Sequence, residues 1–239
     1  MIASNGPVIP NFGQASSCVL ANRTFCWDWA RAHWHDTLWP ALEQHIELTA
    51  IAVGIGFAIS FALMFLAHRF NRVVQPIGIV SALLYTVPSL ALFQLLVPFT
   101  GVTTTTVEVA LVAYTLVILF PNMLDGLRSA PPEVLDAARG MGLTRSQILW
   151  RVEIPLAVPA IVSGLRIAVI STISIATIAA TLLPKGLGYP IFFALQDPQP
   201  FKTEIYAAGA LAIGLALACD GALVVTRRLL APWAVRSQS

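Results

Sequence analysis

Residues 131–155 read PPEVLDAARGMGLTRSQILWRVEIP, a polar and cationic stretch set between two long apolar runs. Its helix signals are explicit. Pro132 suits the first turn of a helix, where its missing N–H costs nothing, and Glu133 favours the positive end of the helix dipole. Val134, Leu135, Ala138 and Met141 recur at helical spacing. Gly142 stands where a helix stops in a left-handed cap. A second helix begins at once: Thr144 and Gln147 form a capping box, and Leu143 and Ile148 fit the flanking hydrophobic staple. The spacing predicts two short helices meeting at a glycine. One face is apolar enough to rest on a membrane domain, and the other carries Arg139, Arg145 and Arg151.

The flanks supply that domain. Of 239 residues, 57% are hydrophobic and only 11% charged, and the mean hydropathy of +0.77 lies well beyond soluble composition. Five stretches, 48–67, 77–98, 106–125, 156–183 and 206–226, are long and apolar enough to cross a bilayer. The expected fold is therefore all-α: a polytopic membrane helix bundle of about five transmembrane helices, with the 129–155 loop between the third and fourth. Residues 1–45 form an extracytoplasmic or interfacial segment, 46–228 the transmembrane domain, and 229–239 a tail. Five spans put Arg69, Arg72, Arg128, Arg139, Arg145, Arg151, Arg227, Arg228 and Arg236 on one side, against Arg23, Arg31, Lys185 and Lys202 on the other. The positive-inside bias makes the first side cytoplasmic, with the N-terminus outside and the C-terminus inside. No cationic start followed by an apolar core opens the chain, so insertion is expected to rely on the first span rather than a cleaved leader. A net charge of +2 is too small to point to nucleic acid.

The loop resembles the cytoplasmic loop of permease subunits in bacterial binding-protein-dependent ABC importers. Their signature reads Glu-Ala-Ala, three residues, Gly, nine residues, then Ile-x-Leu-Pro. This chain has Asp136-Ala137-Ala138, Gly142, then Val152-Glu153-Ile154-Pro155 at the same spacing. Further stretches are similar to osmoprotectant uptake permeases for glycine betaine, carnitine and choline: Gln44-His45-Ile46-Glu47-Leu48-Thr49, Thr86 to Leu92, Gly164-Leu165-Arg166, and Lys185 to Ile191. Where the family shows a Gly-rich Gly-Ala-Gly-Gly-Leu-Gly run, this chain has Leu183-Pro184-Lys185-Gly186-Leu187-Gly188. The resemblance implies a coupling helix that docks into an ATPase subunit through Glu133, Asp136, Ala137, Ala138, Gly142, Arg145 and Pro155. It implies ABC ATPase subunits, a second permease subunit and an extracytoplasmic substrate-binding protein as partners, in the lipid of a bacterial inner membrane. ATP and Mg would be held by the ATPase, with no cofactor in this chain. Within the class, a methionine-type permease is the rival.

Charges inside spans are expensive and worth inspecting. Arg166 in the fourth span and Asp220 in the fifth, both placed nearer the cytoplasmic ends, invite an interhelical ion pair; two groups reaching separately toward water is the other reading. Ser171, Ser174, Thr177 and Thr181 share one face of the fourth span. That stripe reads either as the lining of a translocation path or as a packing seam, because small hydroxyl residues let membrane helices approach. Pro88 would let the second span kink. Trp27, Trp29, Trp34 and Trp39 favour a membrane–water interface, so residues 25–44 read as a surface-lying helix or a short membrane-dipping segment. Cys18 and Cys26 are either a disulfide, if they face an oxidising side, or two unrelated thiols. No G-x-x-x-x-G-K-[ST] loop and no metalloprotease or serine-hydrolase motif occurs, so the chain is not expected to be an enzyme. An ion-coupled secondary transporter lacks an intramembrane carboxylate relay to stand on.

Overall fold

The computed structural model describes residues 17–232; residues 1–16 and 233–239, with Arg236 of the tail, lie outside the described residues. Among the described residues every regular element is helical. The third span, Thr104–Arg128, is the central post and the most buried of the long helices. Thr103 starts it, its side chain accepting from the Thr106 N–H. The first span, Trp39–Arg69, and the fourth, Ile154–Ile178, pack on either side. Two buried clusters show their directions. Leu48, Leu111 and Ala176 meet at one end, and Met64, Met123 and Ala157 at the other. The first and third spans thus run parallel and the fourth runs back. In lipid this association rests on close packing rather than on exclusion of water.

The second span departs most from expectation. Instead of one helix over 77–98, two legs, Asn71–Thr86 and Ser89–Thr100, meet at 105°. Val87 and Pro88 between them are extended, with ψ of 123° and 140°. Proline pushes the preceding residue out of the helical region and brings no N–H to continue the ladder. The Tyr114 hydroxyl donates to the freed Val87 carbonyl. The chevron still runs from end to end. Ile77 packs on Ala67 and Phe120 and Asn71 accepts from Arg128, whereas Phe93 sits with Leu48 and Leu111 and Thr100 pairs with Thr106.

The surface helix expected over 25–44 is divided. Only Trp27–Ala32 is a separate helix, its Ala30 packed with Leu38 and Ala207. From Trp34 a π-helical turn leads straight into the first span, giving one element of 36 residues to Arg69. The boundary expected between 45 and 46 falls inside it. At 1.5 Å per residue that element is about 54 Å long, longer than the roughly 30 Å of hydrocarbon it has to cross. Cys18 and Cys26 are joined by a disulfide, and the Cys26 N–H donates to Thr203 on the fifth span.

The two short loop helices are Pro132–Gly140 and Arg145–Ile148. The second is not the separate short helix expected. It continues through a π-helical turn, Leu149–Glu153, into the fourth span, making one element of 37 residues from Arg145 to Thr181. The wider turn just before Pro155 accommodates a residue that cannot donate to the ladder. Beyond Thr181 a short helix, Gly188–Gln196, covers the end of the bundle, and Lys202–Leu230 forms the fifth span.

Candidate coupling loop and translocation site

Among the described residues, Arg69, Arg72, Arg128, Arg139, Arg145, Arg151, Arg227 and Arg228 lie at one end of the bundle, with the loop. Gly142 has φ +79°, a left-handed conformation that side chains resist. Around it the Leu143 N–H reaches the Ala138 carbonyl at 3.2 Å and the Gly142 N–H reaches Arg139 at 2.9 Å, closing the first helix as a Schellman turn. The second helix carries both halves of the capping box: the Gln147 N–H donates to Thr144 Oγ1, and the Thr144 N–H donates to Gln147 Oε1 at 2.8 Å. Of the apolar residues expected to rest on the membrane domain, Ala138 is buried, but Val134 is 41% and Met141 73% exposed. Ala138 is the only buried residue of the first loop helix, so most of its apolar face stays open. Glu133, Asp136, Ala137 and Arg145 are exposed beside it, Asp136 paired with Arg139 at 2.8 Å. Pro155 lies half-buried at the start of the fourth span. The second loop helix is anchored more firmly: the Trp150 ring lies tilted against Phe65 at 5.5 Å, and Glu153 approaches His68 at 3.4 Å.

At mid-bundle the structure brings Arg166 and Asp220 together. Nε donates to Oδ1 at 2.7 Å and Nη2 to Oδ2 at 2.9 Å, a fork that favours planar, bidentate pairing. Arg166 stands at the middle of Ile154–Ile178 rather than nearer its Arg-rich end, whereas Asp220 lies nearer the Arg-rich end of Lys202–Leu230, as expected. The pair lines an open pocket of about 620 Å³ together with Ser174 and Thr177. Ser171 and Thr181 are not part of its lining, and Pro88 sits at the apex of the chevron, away from it. The polar packing seam is made by different residues: Thr115 meets Thr172 at 3.1 Å, both buried, where Gly56 leaves Thr115 its room.

At the opposite end the Gln44-His45 and Lys185–Ile191 stretches, noted in the sequence only separately, come together. His45 is fully buried. Its Nδ1 accepts the Leu187 N–H at 3.2 Å, which leaves Nε2 to donate to the Ile173 carbonyl at 3.1 Å. That arrangement selects the neutral Nε2–H tautomer. Gln44 accepts the Gly186 N–H at 3.1 Å. Gly186 has φ +72°, and a Cβ there would meet His45 Nδ1 at 2.9 Å. One imidazole thus ties the first span, the fourth span and the Pro184–Leu187 turn. A histidine at the start of a span was visible in the sequence; its partners, about 130 residues away, were not.

Residues 39–225 match the model of the binding-protein-dependent transport system inner membrane component family. The chain is 34% identical to the carnitine transport permease OpuCB of Listeria monocytogenes, over 81% of this chain and 88% of that one. It is also 34% identical to the choline transport system permease OpuBB of Bacillus subtilis, over 79% and 86%. Among solved structures, an inward-facing conformation of the MetNI methionine ABC transporter superposes with a TM-score of 0.72 at 18% identity, over 84% of this chain and 98% of that one. That last likeness is one of fold alone.

Proposed function

The chain belongs to the binding-protein-dependent transport system inner membrane component family and is a permease of an ABC importer, and from that premise we propose that its solute is an osmoprotectant of the betaine, carnitine or choline kind. Support comes from its similarity to permeases for those solutes along most of both chains. The remaining parts of the machine are proposed with it. Two ATPase subunits hold ATP and Mg and hydrolyse it. A second permease subunit covers the chevron and fifth span, whose apolar side chains Leu83, Phe99, Ile213 and Leu217 are 63%, 86%, 63% and 67% exposed. An extracytoplasmic binding protein delivers the solute.

The observation that carries the mechanism is the unbroken element from Arg145 to Thr181. A groove on the ATPase would take the exposed Val134 and Met141 of the first loop helix. When ATP closes the ATPases, the loop moves, and an unbroken helix passes that displacement to the middle and far end of the bundle instead of absorbing it in a hinge. The Trp150–Phe65 and His68–Glu153 contacts carry the first span with it. The Arg-rich end is read as cytoplasmic. The Cys18–Cys26 disulfide at the other end supports the same orientation, because such bonds persist in oxidising compartments.

The test is co-expression with the ATPase and binding protein, comparing wild type with Gly142→Asp. Expected are co-purification, binding-protein-stimulated ATP hydrolysis and uptake of betaine, carnitine or choline by wild type, with coupling lost in the variant although membrane insertion persists. A wild-type complex that hydrolyses ATP in response to methionine and to none of these solutes would move the chain to the methionine-type reading.

A further inference from the structure

The Arg166–Asp220 pair is hard to account for as a strut. Charged groups at mid-membrane are tolerated where they face protein or a water-filled cavity, not lipid. Here the side chains are 30% and 26% exposed, opening into the 620 Å³ pocket rather than sealed between helices. As a strut alone, a well-packed apolar pair of similar size would serve as well, and the second permease proposed over Ile213 and Leu217, which line the same pocket, would make the opening a cavity between the two permeases. The pocket volume falls in the range that holds small solutes. Ser174 and Thr177 add hydroxyls to a wall that is otherwise Ile, Leu and Ala.

We propose that Arg166 and Asp220 form a solute station on the transport path that accepts a zwitterion by exchanging their mutual ion pair for two pairs with the solute. The assignment rests on the osmoprotectant reading and adds the site and its chemistry. A solute carboxylate takes the two parallel N–H groups of Arg166, and its ammonium centre takes the Asp220 carboxylate. For a zwitterion the charge balances throughout. The empty station is neutral through its internal pair, and the loaded one is neutral because the solute brings one charge of each sign. This exchange avoids stranding a charge at mid-membrane, which is the costly outcome for a buried pair. It keeps the empty path shut and makes each closure after release spontaneous. The Ile173 carbonyl links station to outer end, since it accepts from Thr177 in the pocket wall and from His45 in the turn contact. A cation without a carboxylate, such as choline, engages Asp220 alone.

The experiment uses the whole transporter in liposomes, with saturating binding protein, and measures uptake of glycine betaine and of choline. Arg166→Gln is expected to slow betaine uptake by about tenfold or more, the value of a lost charge-assisted contact, while choline uptake stays within about twofold. Asp220→Asn is expected to slow both by about tenfold. Binding-protein-stimulated ATP hydrolysis should persist, so that solute moved per ATP falls. Arg166→Leu/Asp220→Leu removes the pair without stranding a charge, and it too should fail to transport. Equal loss of betaine and choline in Arg166→Gln would overturn the station, as would a double-leucine variant that transports like wild type. A wild type that carries choline alone would also overturn it, because a station built for a zwitterion would then carry none. A wild type that carries neither solute would sink the osmoprotectant reading itself, and the station with it.

Discussion

The two ends of this bundle are built on opposite physical plans. At the loop end, Gly142 turns in open space, with nothing close enough to meet a Cβ, and Val134 and Met141 lie exposed on the helix before it. At the far end, His45 is fully buried, and all of its hydrogen-bonding capacity is spent on backbone groups of two other elements. The loop is held by local rules, caps and a turn, and leaves its surface free for a partner. The far end is held by long-range contacts and leaves nothing free. Stability and function should therefore separate between them: damage to the loop should spare the fold, and damage to the histidine should strike the fold first.

The largest effect that tests this separation comes from Gly142→Val. A β-branched residue resists φ near +79°, so the two loop helices would change their angle. Transport is expected to fall by more than about tenfold while thermal stability stays nearly constant, since the turn is exposed and unpacked. Uptake and a detergent melting curve on one preparation check both halves. A large loss of stability would break the comparison, because it would show the loop to be part of the core.

Next in size is His45→Ala. It orphans the Leu187 N–H in a buried site and leaves a cavity, a cost of about 2–4 kcal/mol. The expected result is a melting point lower by several degrees, with ATPase co-purification unchanged. His45→Asn keeps an acceptor near the Nδ1 position, and His45→Gln a donor near the Nε2 position. Each should recover part of the loss, and which recovers more reports which tie matters. Gly186→Ala should cost less, about 1–2 kcal/mol for a left-handed residue with a side chain, although its Cβ would also press on His45 at 2.9 Å.

The same contrast explains what could be read from the chain in advance. Helix starts and stops are written locally. Pro132, Gly142 and the Thr144–Gln147 box lie within a few residues of what they control, so the loop emerged at the expected positions. The long apolar runs likewise yielded the membrane helices, because bilayer thickness imposes a length that composition reveals. Pro88 marked a place to bend, but not a 105° chevron, whose angle depends on packing against the third span. Nothing local showed that the second loop helix would run on into the fourth span, since a π-helical turn has no sequence signature comparable to a cap. The meeting of Arg166 with Asp220, and of His45 with Leu187, depends on how helices are set side by side. A single sequence names such residues as candidates without saying which of them touch.

The smallest prediction is the sharpest test of local control. Thr144→Ala removes one half of the capping box and should cost about 1 kcal/mol in an isolated helix. Here the helix that Thr144 starts is fixed farther along by Trp150 against Phe65 and by Glu153 beside His68. Fraying can therefore spread from Arg145 only as far as that anchor. The global melting point should not move measurably. Hydrogen exchange at the Gln147 and Ile148 amides should accelerate about fivefold, the factor that matches 1 kcal/mol of local opening. If the acceleration ran on past Trp150 into the fourth span, the anchor would be weaker than its contacts indicate. The element would then bend under load at Leu149–Glu153, and movement of the loop would be absorbed there before it reached Arg166.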